Sequence, residues 1–277
     1  MRAALLFLVG ACASAPAKQP EAPAPAPVEK KVPALAFEPA TVQPGVDGDA
    51  WAGIRFDGGR PTIKRVIKLG PAAKAGLQAG DVVTQLDNIH ATGASELVTY
   101  IRAHHVGDTL VFVVDRGGTT KTIDVQIALK PPIEDLFAAE LTGNPAPDFA
   151  AQHASGPHAT SLADLKGQVV LVEFWATWCG PCTVAQPYLD KWQTTYGPKG
   201  LRVVAITNES VPTVTDYLTT HWFSYSIGID ADGEISANYM VPGTPTLVVI
   251  DRSGIVRRVH VGADEVWTLE SMIQQLL

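Results

Sequence analysis

Cysteine is scarce in this sequence: the 277 residues include only three, at Cys12, Cys179 and Cys182. If Cys12 is used elsewhere, the other two form one C-x-x-C pair, and none remains for a framework of structural disulfides. A structural zinc site would need two more ligands at metal spacing, and the seven histidines are scattered. Haem attachment would need histidine after the second cysteine, where Thr183 stands. No metal and no cofactor are expected beyond the cysteine pair itself.

The chain also lacks an excess of positive charge and a long apolar run. Its formal net charge is −7, which gives no reason to expect nucleic acid as a partner. The apolar run at residues 3–9 is far too short to span a bilayer as a mature helix. Apolar residues still make up 46% of the chain, and 277 residues suit two compact domains with extra segments.

Residues 1–12 have the pattern of a secretory signal, with a basic residue, a short apolar run and then small residues. Val9–Cys12 resembles the bacterial lipobox, in which the cysteine receives a lipid and becomes the new first residue. Cys12 is therefore predicted to be a lipidation site, because a cysteine at this position otherwise has no explanation. The alternative is an ordinary signal that is cleaved a few residues later, so that Cys12 is discarded.

Residues 13–44 are dominated by alanine and proline. Such a segment cannot build a core and should be extended and semi-rigid, with a reach on the order of 90 Å at ~3.1 Å per residue. A ligand for SH3-type domains is the other interpretation. A spacer that holds folded domains away from a membrane fits the lipobox better, so we expect an extracytoplasmic, periplasmic protein with a lipid anchor.

Residues 45–132 form short β-rich runs separated by turn signals. Within them, Ala72–Val83 (A-A-K-A-G-L-Q-A-G-D-V-V) predicts a short helix closed by glycine and followed by a strand. This order of elements resembles the PDZ domains of bacterial proteases of the HtrA type. The resemblance implies a β-rich α+β domain that binds a partner peptide as an added strand at its sheet edge. No Ser-His-Asp protease domain accompanies it.

In PDZ domains a loop of backbone N–H groups holds the terminal carboxylate of the peptide. Trp51, Ala52, Gly53 and Ile54 occupy that loop here and are predicted to bind the peptide. Trp51 and Ala52 depart from the small or glycine-rich form of the loop. The alternative is that this domain only packs or spaces, because a fold alone does not give a function.

Residues 141–277 carry the most specific pattern. Val169–Trp175 is a nearly unbroken apolar run, typical of a strand buried on both faces, and C-G-P-C at 179–182 follows it before a helical run. A C-x-x-C between a strand and a helix is a thioredoxin-type redox motif. The helix amino terminus stabilises a thiolate on the first cysteine, and the second lies one turn away on the same face. Neither cysteine stands in the Pro-x-x-x-Thr/Ser-x-x-Cys setting of a peroxiredoxin.

Four segments together resemble the TlpA/ResA-type extracytoplasmic thioredoxins, which have an α/β fold. These segments are residues 143–149, 161–167, 174–182 and 243–246. The resemblance implies that Cys179 is the nucleophile and Cys182 the resolving thiol. It also implies that Pro245 is a cis-proline facing the cysteines and that Thr244 offers backbone hydrogen bonds to the substrate. A trans Pro245 in an ordinary turn is the alternative.

Three further residues are predicted to contact substrate at the cysteine pair. Trp178 flanks the site at the surface, whereas Trp175 is expected in the core. Gly180 lets a substrate backbone approach, and Pro181 supplies a preset φ for the first helical turn.

Glu173 is a carboxylate inside a run of valine, leucine and phenylalanine, which is costly unless it has a role or a partner. It matches the position where thioredoxins hold a buried acid beneath the resolving cysteine. The hypothesis is that burial raises the pKa of Glu173 and that it shuttles the proton of Cys182. The alternative is a structural acid bonded to nearby backbone. The lysine that accompanies this acid in thioredoxins has no counterpart in Leu201–Thr207.

Taken together, the patterns predict a membrane-tethered thiol–disulfide oxidoreductase that acts on protein thiols and disulfides. Glycine and proline between the cysteines resemble thioredoxin, whose potential is roughly −270 mV, and favour a reductase over an oxidase or isomerase. The alternative outside catalysis is a PDZ-led binding scaffold in which the cysteine pair only senses the redox state. The upstream electron donor is not identified by any pattern in the sequence.

The lipobox gives the first testable prediction. Cys12→Ser should yield a protein without an acyl chain that leaves the membrane fraction, because the lipidated side chain is gone. Mass spectrometry of the amino-terminal peptide and membrane fractionation check this. The anchor hypothesis is wrong if the unaltered protein already carries no acyl chain and fractionates as soluble.

Overall fold

The structure of the protein, a computed structural model, describes residues 50–277, which lie in one compact unit. The predicted signal, the lipidation site Cys12 and the linker at 13–44 fall outside the described residues. Across residues 50–277, no helix has both the length and the apolar character needed to cross a membrane.

The amino-terminal domain is a small β-rich fold with two helices. Its elements are β1 (Ala50–Trp51), β2 (Ile54–Phe56), β3 (Ile63–Val66), α1 (Pro71–Ala75), β4 (Val82–Leu86), β5 (Ile89–His90), α2 (Ala94–Arg102), β6 (Thr109–Arg116), β7 (Thr119–Gln126) and β8 (Ala128–Leu129). The larger sheet has the order β5-β4-β6-β7, whereas β2 pairs with β3, and β1 with β8. The short helix α1 ends at Gly76 in the left-handed conformation (φ 93°), as its glycine predicted.

One edge of β2 is open. Within residues 50–277, β2 pairs antiparallel with β3 alone, so its second edge has no partner strand. Helix α2 lies beyond that edge and buries Leu97 and Ile101, which are four residues apart and therefore on one helical face. The open edge and the helix leave a groove between them, as in the predicted PDZ fold.

The carboxy-terminal domain alternates strands and helices. Its elements are α3 (Ile133–Glu140), β9 (Gln152–Ser155), β10 (Val169–Phe174), α4 (Cys182–Tyr196), β11 (Leu201–Thr207), α5 (Val211–Leu218), β12 (Ser226–Ile229), α6 (Glu234–Asn238), β13 (Thr246–Ile250), β14 (Val256–Val261) and α7 (Leu269–Leu276). Helix α4 continues as one element through Pro187.

The six strands of this domain form one sheet in the order β14-β13-β10-β11-β12-β9. Strands β10, β11 and β12 are parallel, and β13 runs antiparallel to β10. All six residues of β10 are buried, because α4, α5 and α7 cover one face of the sheet and α3 and α6 cover the other. This arrangement explains the unbroken apolar run of β10. The expected fold, a β-rich α+β domain followed by an α/β thioredoxin fold, is confirmed.

One helix was not predicted from the sequence, and another begins later than predicted. Helix α3 follows Pro132 directly and was not predicted; it buries Leu136 and Phe137, and Phe137 packs in a core cluster of the carboxy-terminal domain. The sequence predicts a last helix that opens at Asp264 and carries Leu269, Met272, Ile273 and Leu276 on one face. The helix instead begins at Leu269, after a short 3₁₀ turn. Glu265 has φ 56°, a left-handed conformation that an α-helix cannot include, so the helix starts later.

Candidate functional site

The cysteine pair lies in the turn between β10 and α4. Cys179 and Cys182 form a disulfide with an S–S distance of 2.05 Å and a Cα–Cα distance of 5.4 Å. Helix α4 begins at Cys182, with Pro181 as its N-cap at φ −60°. The Cys182 N–H is one of the helix's first donors, which the helix's own i→i−4 ladder leaves unused. It donates to Cys179 Sγ at 3.2 Å and shares this donation with the Cys179 carbonyl, also at 3.2 Å. After reduction, the same donor and the helix dipole would stabilise a thiolate on Cys179.

The surface beside the disulfide is exposed and partly apolar. Trp178 is 76% exposed, while Trp175 is buried, so both tryptophans lie where the sequence predicted. Gly180 and Pro181 are also exposed. A Cβ at Gly180 would meet nothing within 4 Å, so the space above the turn is open to an approaching chain. Cys179 is 4% exposed and Cys182 is fully buried, which leaves the first sulfur as the more accessible of the two.

The loop before β13 lies at the same edge of the sheet. The Thr244–Pro245 peptide bond is cis, as predicted. Strand β13 begins at Thr246, which is the register partner of Phe174 at the end of β10. The end of β10 is the point at which the chain departs toward Cys179. The topology therefore brings the cis-proline and the cysteine turn to one end of neighbouring strands.

Glu173 is a buried acid on the same side of the sheet as the cysteines. It is 1% exposed and shares its face of β10 with Leu171, which packs in one cluster with Cys182. Within residues 50–277, its Oε1 atom has no hydrogen-bond partner. Burial raises the pKa of Glu173 to about 8, and the negative charge of Asp190 contributes to this rise. The carboxyl group therefore keeps its proton through much of the neutral range.

The neighbours of Glu173 are acidic or neutral. Asp190 on α4 accepts hydrogen bonds from the backbone and hydroxyl of Ser224, at 2.7 and 2.6 Å. Tyr225 is buried, and its hydroxyl has no partner in the described part of the chain. Burial raises the pKa of Tyr225, and the Glu173 carboxylate adds to the shift. The charged group that acts on Glu173 is thus a carboxylate, Asp190, and not a lysine.

The sequence did not reveal Glu209, which holds the turn that precedes Cys179. Its Oε2 accepts from the Thr177 N–H at 2.7 Å, and its Oε1 accepts from the Thr177 hydroxyl at 2.7 Å. Oε2 also accepts from the Thr207 hydroxyl at 3.1 Å. Both carboxylate oxygens therefore tie the end of β11 to a residue two positions before the cysteine. The one signal in the sequence is an acid just after a buried parallel strand, at the edge where such strands end together.

The predicted carboxylate loop lies at one end of the groove in the amino-terminal domain. A cavity of 240 Å³ is lined there by Ala50, Trp51, Ala52, Gly53, Ile54, Phe56, Val98, Ile101, Arg102 and Lys130. Gly53 has φ 78°, and a Cβ at this position would lie 2.6 Å from the Gly70 Cα, so only glycine fits. Arg102 and Lys130 are exposed and bring two positive charges to this end. All four loop residues that the sequence singled out line this cavity.

Glu209→Gln should loosen the turn, because the amide cannot accept both Thr177 hydrogen bonds. We expect kcat/KM for a protein disulfide to fall about three- to tenfold, as misplacement of a reacting group lowers rate. Alkylation of reduced Cys179 at neutral pH should instead become faster, because a nearby negative charge is removed. Stopped-flow kinetics and alkylation rates measure the two effects. The control Glu134→Gln removes an exposed acid elsewhere, and an equal response in both variants would refute the positioning role.

Comparison with known proteins assigns a family to each of the two domains. The Redoxin family model matches residues 141–276, and the PDZ domain family model matches residues 43–127. The chain is 38% identical over 138 residues to the thioredoxin-like protein YneN of Bacillus subtilis (strain 168), covering 48% of this chain and 78% of that protein. It is 30% identical over 135 residues to the thiol-disulfide oxidoreductase ResA of Bacillus anthracis, with coverage of 48% and 78%.

Among solved structures, a thiol:disulfide interchange protein of the thioredoxin family from Chlorobium tepidum TLS is 30% identical. The match covers 50% of this chain and 99% of that chain, with a TM-score of 0.43. The relatives' sequences match the half of the chain that contains the cysteine turn. The chain therefore has a PDZ domain before its thioredoxin-like domain and belongs to the thioredoxin-like family of thiol–disulfide oxidoreductases.

Proposed function

We propose that the protein reduces disulfides of extracytoplasmic proteins through Cys179. The observation that carries this proposal is the hydrogen bond from the Cys182 N–H at the start of α4 to Cys179 Sγ, the more accessible sulfur. The reduced Cys179 thiolate attacks a substrate disulfide, forms a mixed disulfide and releases one substrate thiolate. Cys182 then attacks Cys179 Sγ, re-forms the internal disulfide and releases the second thiolate. Two electrons pass to the substrate, and no cofactor beyond the pair is required.

The reaction site would bind its substrate as an extended chain. Trp178, Gly180 and Pro181 offer an exposed surface on one side of the sulfur, and Thr244 offers its backbone on the other. Pro245, the cis-proline directly before β13, would hold the substrate strand across the disulfide. Reduction is favoured over oxidation or isomerisation by the glycine and proline between the cysteines, which thioredoxin shares.

Glu173 would accept the proton of Cys182 as the second step begins. Its pKa of about 8 lies near the operating pH, where proton transfer by a carboxyl group is efficient. The orphaned Oε1 atom favours this role over that of a structural acid, because a structural acid would be bonded to its surroundings.

The membrane tether and the PDZ domain would bring substrate to this site. Lipidation at Cys12 and the spacer at 13–44 would hold both domains outside the cytoplasm, near a membrane. The groove between β2 and α2 would take the carboxy-terminal segment of a polypeptide as an added strand. The open edge of β2 supplies the backbone groups, and Arg102 and Lys130 complement the terminal carboxylate. A binding scaffold with a redox-sensing pair is the second candidate, and the catalytic variants below separate the two.

Cys179→Ser should abolish disulfide reduction, because the attacking sulfur is gone. Cys182→Ser should instead accumulate mixed disulfides with substrate, since the resolving attack is missing. Non-reducing gels and mass spectrometry of the trapped species check both outcomes. Equal trapping by the two variants would contradict the assignment, and a wild-type protein that binds substrate without turnover would favour the scaffold.

Glu173→Gln should slow release of the second substrate thiol near neutral pH about tenfold or more, because the proton acceptor is lost. The first attack by Cys179 should keep its rate. Single-turnover kinetics that resolve the mixed disulfide measure the two steps. Unchanged rates for both across the neutral range would leave Glu173 with a structural role only.

The pH dependence of the unfolding free energy, compared between the wild type and Glu173→Gln, tests whether Glu173 is buried with a raised pKa. Glu173 ionises near 4.5 in the unfolded chain and near 8 in the fold. Its contribution to folding is therefore fully present below about pH 4.5 and lost as the pH rises to about 8. Relative to Glu173→Gln, the wild type should lose up to about 1.4 kcal/mol of unfolding free energy per pH unit across this window. Denaturant unfolding at several pH values measures the difference.

The groove gives a separate prediction. Arg102→Glu should weaken binding of a peptide with a free carboxy terminus about tenfold, by loss of attraction and added repulsion. Binding of the same peptide with an amidated terminus should change little. Lys74→Glu makes the same charge change at an exposed position of α1 outside the groove lining and serves as the matched control. Calorimetry measures each affinity, and equal weakening by both variants would show only a general charge effect.

A further inference from the structure

The two domains meet through charged side chains rather than through a shared apolar core. The buried core of the PDZ domain and those of the thioredoxin domain are separate clusters. Between them, the β2–β3 hairpin presents three cations to acidic and amide groups of the thioredoxin domain. We call this set the ionic joint, and it consists of Arg55, Lys64, Arg65, Glu140, Glu234 and Asn238.

Glu234 on α6 receives two of the cations. Its Oε2 atom lies 3.0 Å from Arg55 Nη2 and 2.6 Å from Lys64 Nζ. Arg55 Nη2 also donates to Asn238 Oδ1, one turn further along α6, at 3.0 Å. The Arg55 and Glu234 side chains are only 23% and 32% exposed, so this pair is screened less by salt than a pair in open solvent. The first half of the joint therefore fixes β2 against α6.

Arg65 makes the second half. It donates through Nη1 to the Asn238 carbonyl at 2.9 Å and through Nη2 to Glu140 Oε2 at 2.7 Å. Glu140, the last residue of α3, has a side chain only 3% exposed, and it also accepts from the Lys68 N–H. A buried carboxylate needs a partner, and breaking such a pair is strongly destabilising. The carboxyl end of α3 thus joins the same contact.

The arrangement of the two arginines shows that these contacts are built as one unit. Arg55 and Arg65 are direct cross-strand partners in the β2–β3 pair. Like charges in that position repel and destabilise an isolated hairpin. Here each of these two arginines pairs with an acidic group of the other domain, so the repulsion between them is offset when the domains are docked. The charges of the hairpin therefore favour the docked arrangement.

The joint connects elements of both proposed binding sites. On one side, β2 is the strand whose open edge forms the peptide groove. On the other, α6 ends at Asn238, and the chain then runs through Met240 to the cis bond at Thr244–Pro245. The loop is tied back to the helix, because the Val241 N–H donates to the Ser236 carbonyl at 3.0 Å. The contacts at α6 therefore link the strand that lines the groove to the loop that contains the cis-proline.

We propose that the ionic joint makes the groove and the cysteine site one composite substrate site with a fixed separation. This inference rests on the proposed function and adds a substrate class to it. The substrate is an extended or unfolded polypeptide whose disulfide lies at least a set number of residues before its carboxy terminus. A substrate whose tail is too short to span the two sites is not reduced faster when the groove binds it, because the effective concentration of its disulfide at Cys179 is then near zero. A folded protein with a buried or tightly spaced terminus is excluded by the same requirement.

Spin labels measure the joint without any substrate. Cysteine-linked labels at the exposed positions Thr120 and Ser271, one in each domain, can be attached to the oxidised Cys12→Ser protein, in which Cys179 and Cys182 are paired with each other. Dipolar spectroscopy should give one narrow distance distribution for the wild type. Glu234→Arg should broaden it at least about twofold, because the new charge repels Arg55 and Lys64. The exchanged pair Arg55→Glu with Glu234→Arg should restore the narrow distribution.

A milder variant guards against misfolding. Arg55→Gln removes one charge without reversing it and should also broaden the distribution, with unchanged near-ultraviolet circular dichroism. A broad distribution in the wild type would overturn the proposal whatever the groove binds. A narrow distribution that survives both Glu234→Arg and Arg55→Gln would equally overturn it.

A peptide series tests the substrate class. Peptides with one disulfide and carboxy-terminal tails of increasing length should show a sharp minimum length for rate enhancement over glutathione disulfide in the wild type. In Glu234→Arg, peptides with shorter tails should also be reduced faster than glutathione disulfide. The rate enhancement at the optimal tail length should fall about tenfold, because the distance between the groove and the cysteine site is then more widely distributed. The exchanged pair should restore the threshold. Enhancement without a threshold in the wild type would refute the fixed separation, whereas no enhancement at any length would refute the proposed role of the groove.

Discussion

The proposed chemistry of this protein depends on one hydrogen bond, from the Cys182 N–H at the start of α4 to Cys179 Sγ. A helix leaves its first N–H groups outside its own hydrogen-bond ladder, and here the first of them reaches the sulfur that carries a negative charge in the proposed reaction. The rest of the domain positions the two cysteines that make this contact. Strand β10, buried on both faces, fixes where the turn begins, and Glu209 fixes the turn itself through Thr177.

The surroundings of Glu173 have the opposite effect on negative charge. The helix end favours negative charge on an accessible sulfur, whereas burial disfavours negative charge on the carboxyl group behind it. Asp190, which stands near Glu173, increases that bias rather than relieving it. The domain thus holds a thiol that ionises easily beside a carboxyl group with a pKa of about 8. In the proposed exchange the ionised fraction of that carboxyl group accepts the proton of Cys182 and holds it near neutral pH.

Much of this organisation could be predicted because it is local in the chain. The C-G-P-C turn, the buried strand before it and the acid within β10 are read from short stretches with strong preferences, whereas the cis Pro245 was predicted from the resemblance to a known family. Contacts between distant residues could not be predicted in this way. Glu209 meets Thr177 across 32 positions, and Arg55 meets Glu234 across 179, and neither residue is unusual among its neighbours in the sequence. The start of α7 was misplaced because the left-handed backbone of Glu265 has no glycine to announce it.

The central claim is that Cys179, and not Cys182, is the activated sulfur. Alkylation of the reduced protein as a function of pH tests it most directly, with mass spectrometry to assign the modified residue. We expect Cys179 to be modified first, with a rate that reaches half its maximum well below pH 8.5, about the value for a free cysteine. Modification of Cys182 first, or a half-maximal rate for Cys179 at or above about pH 8.5, would contradict the claim.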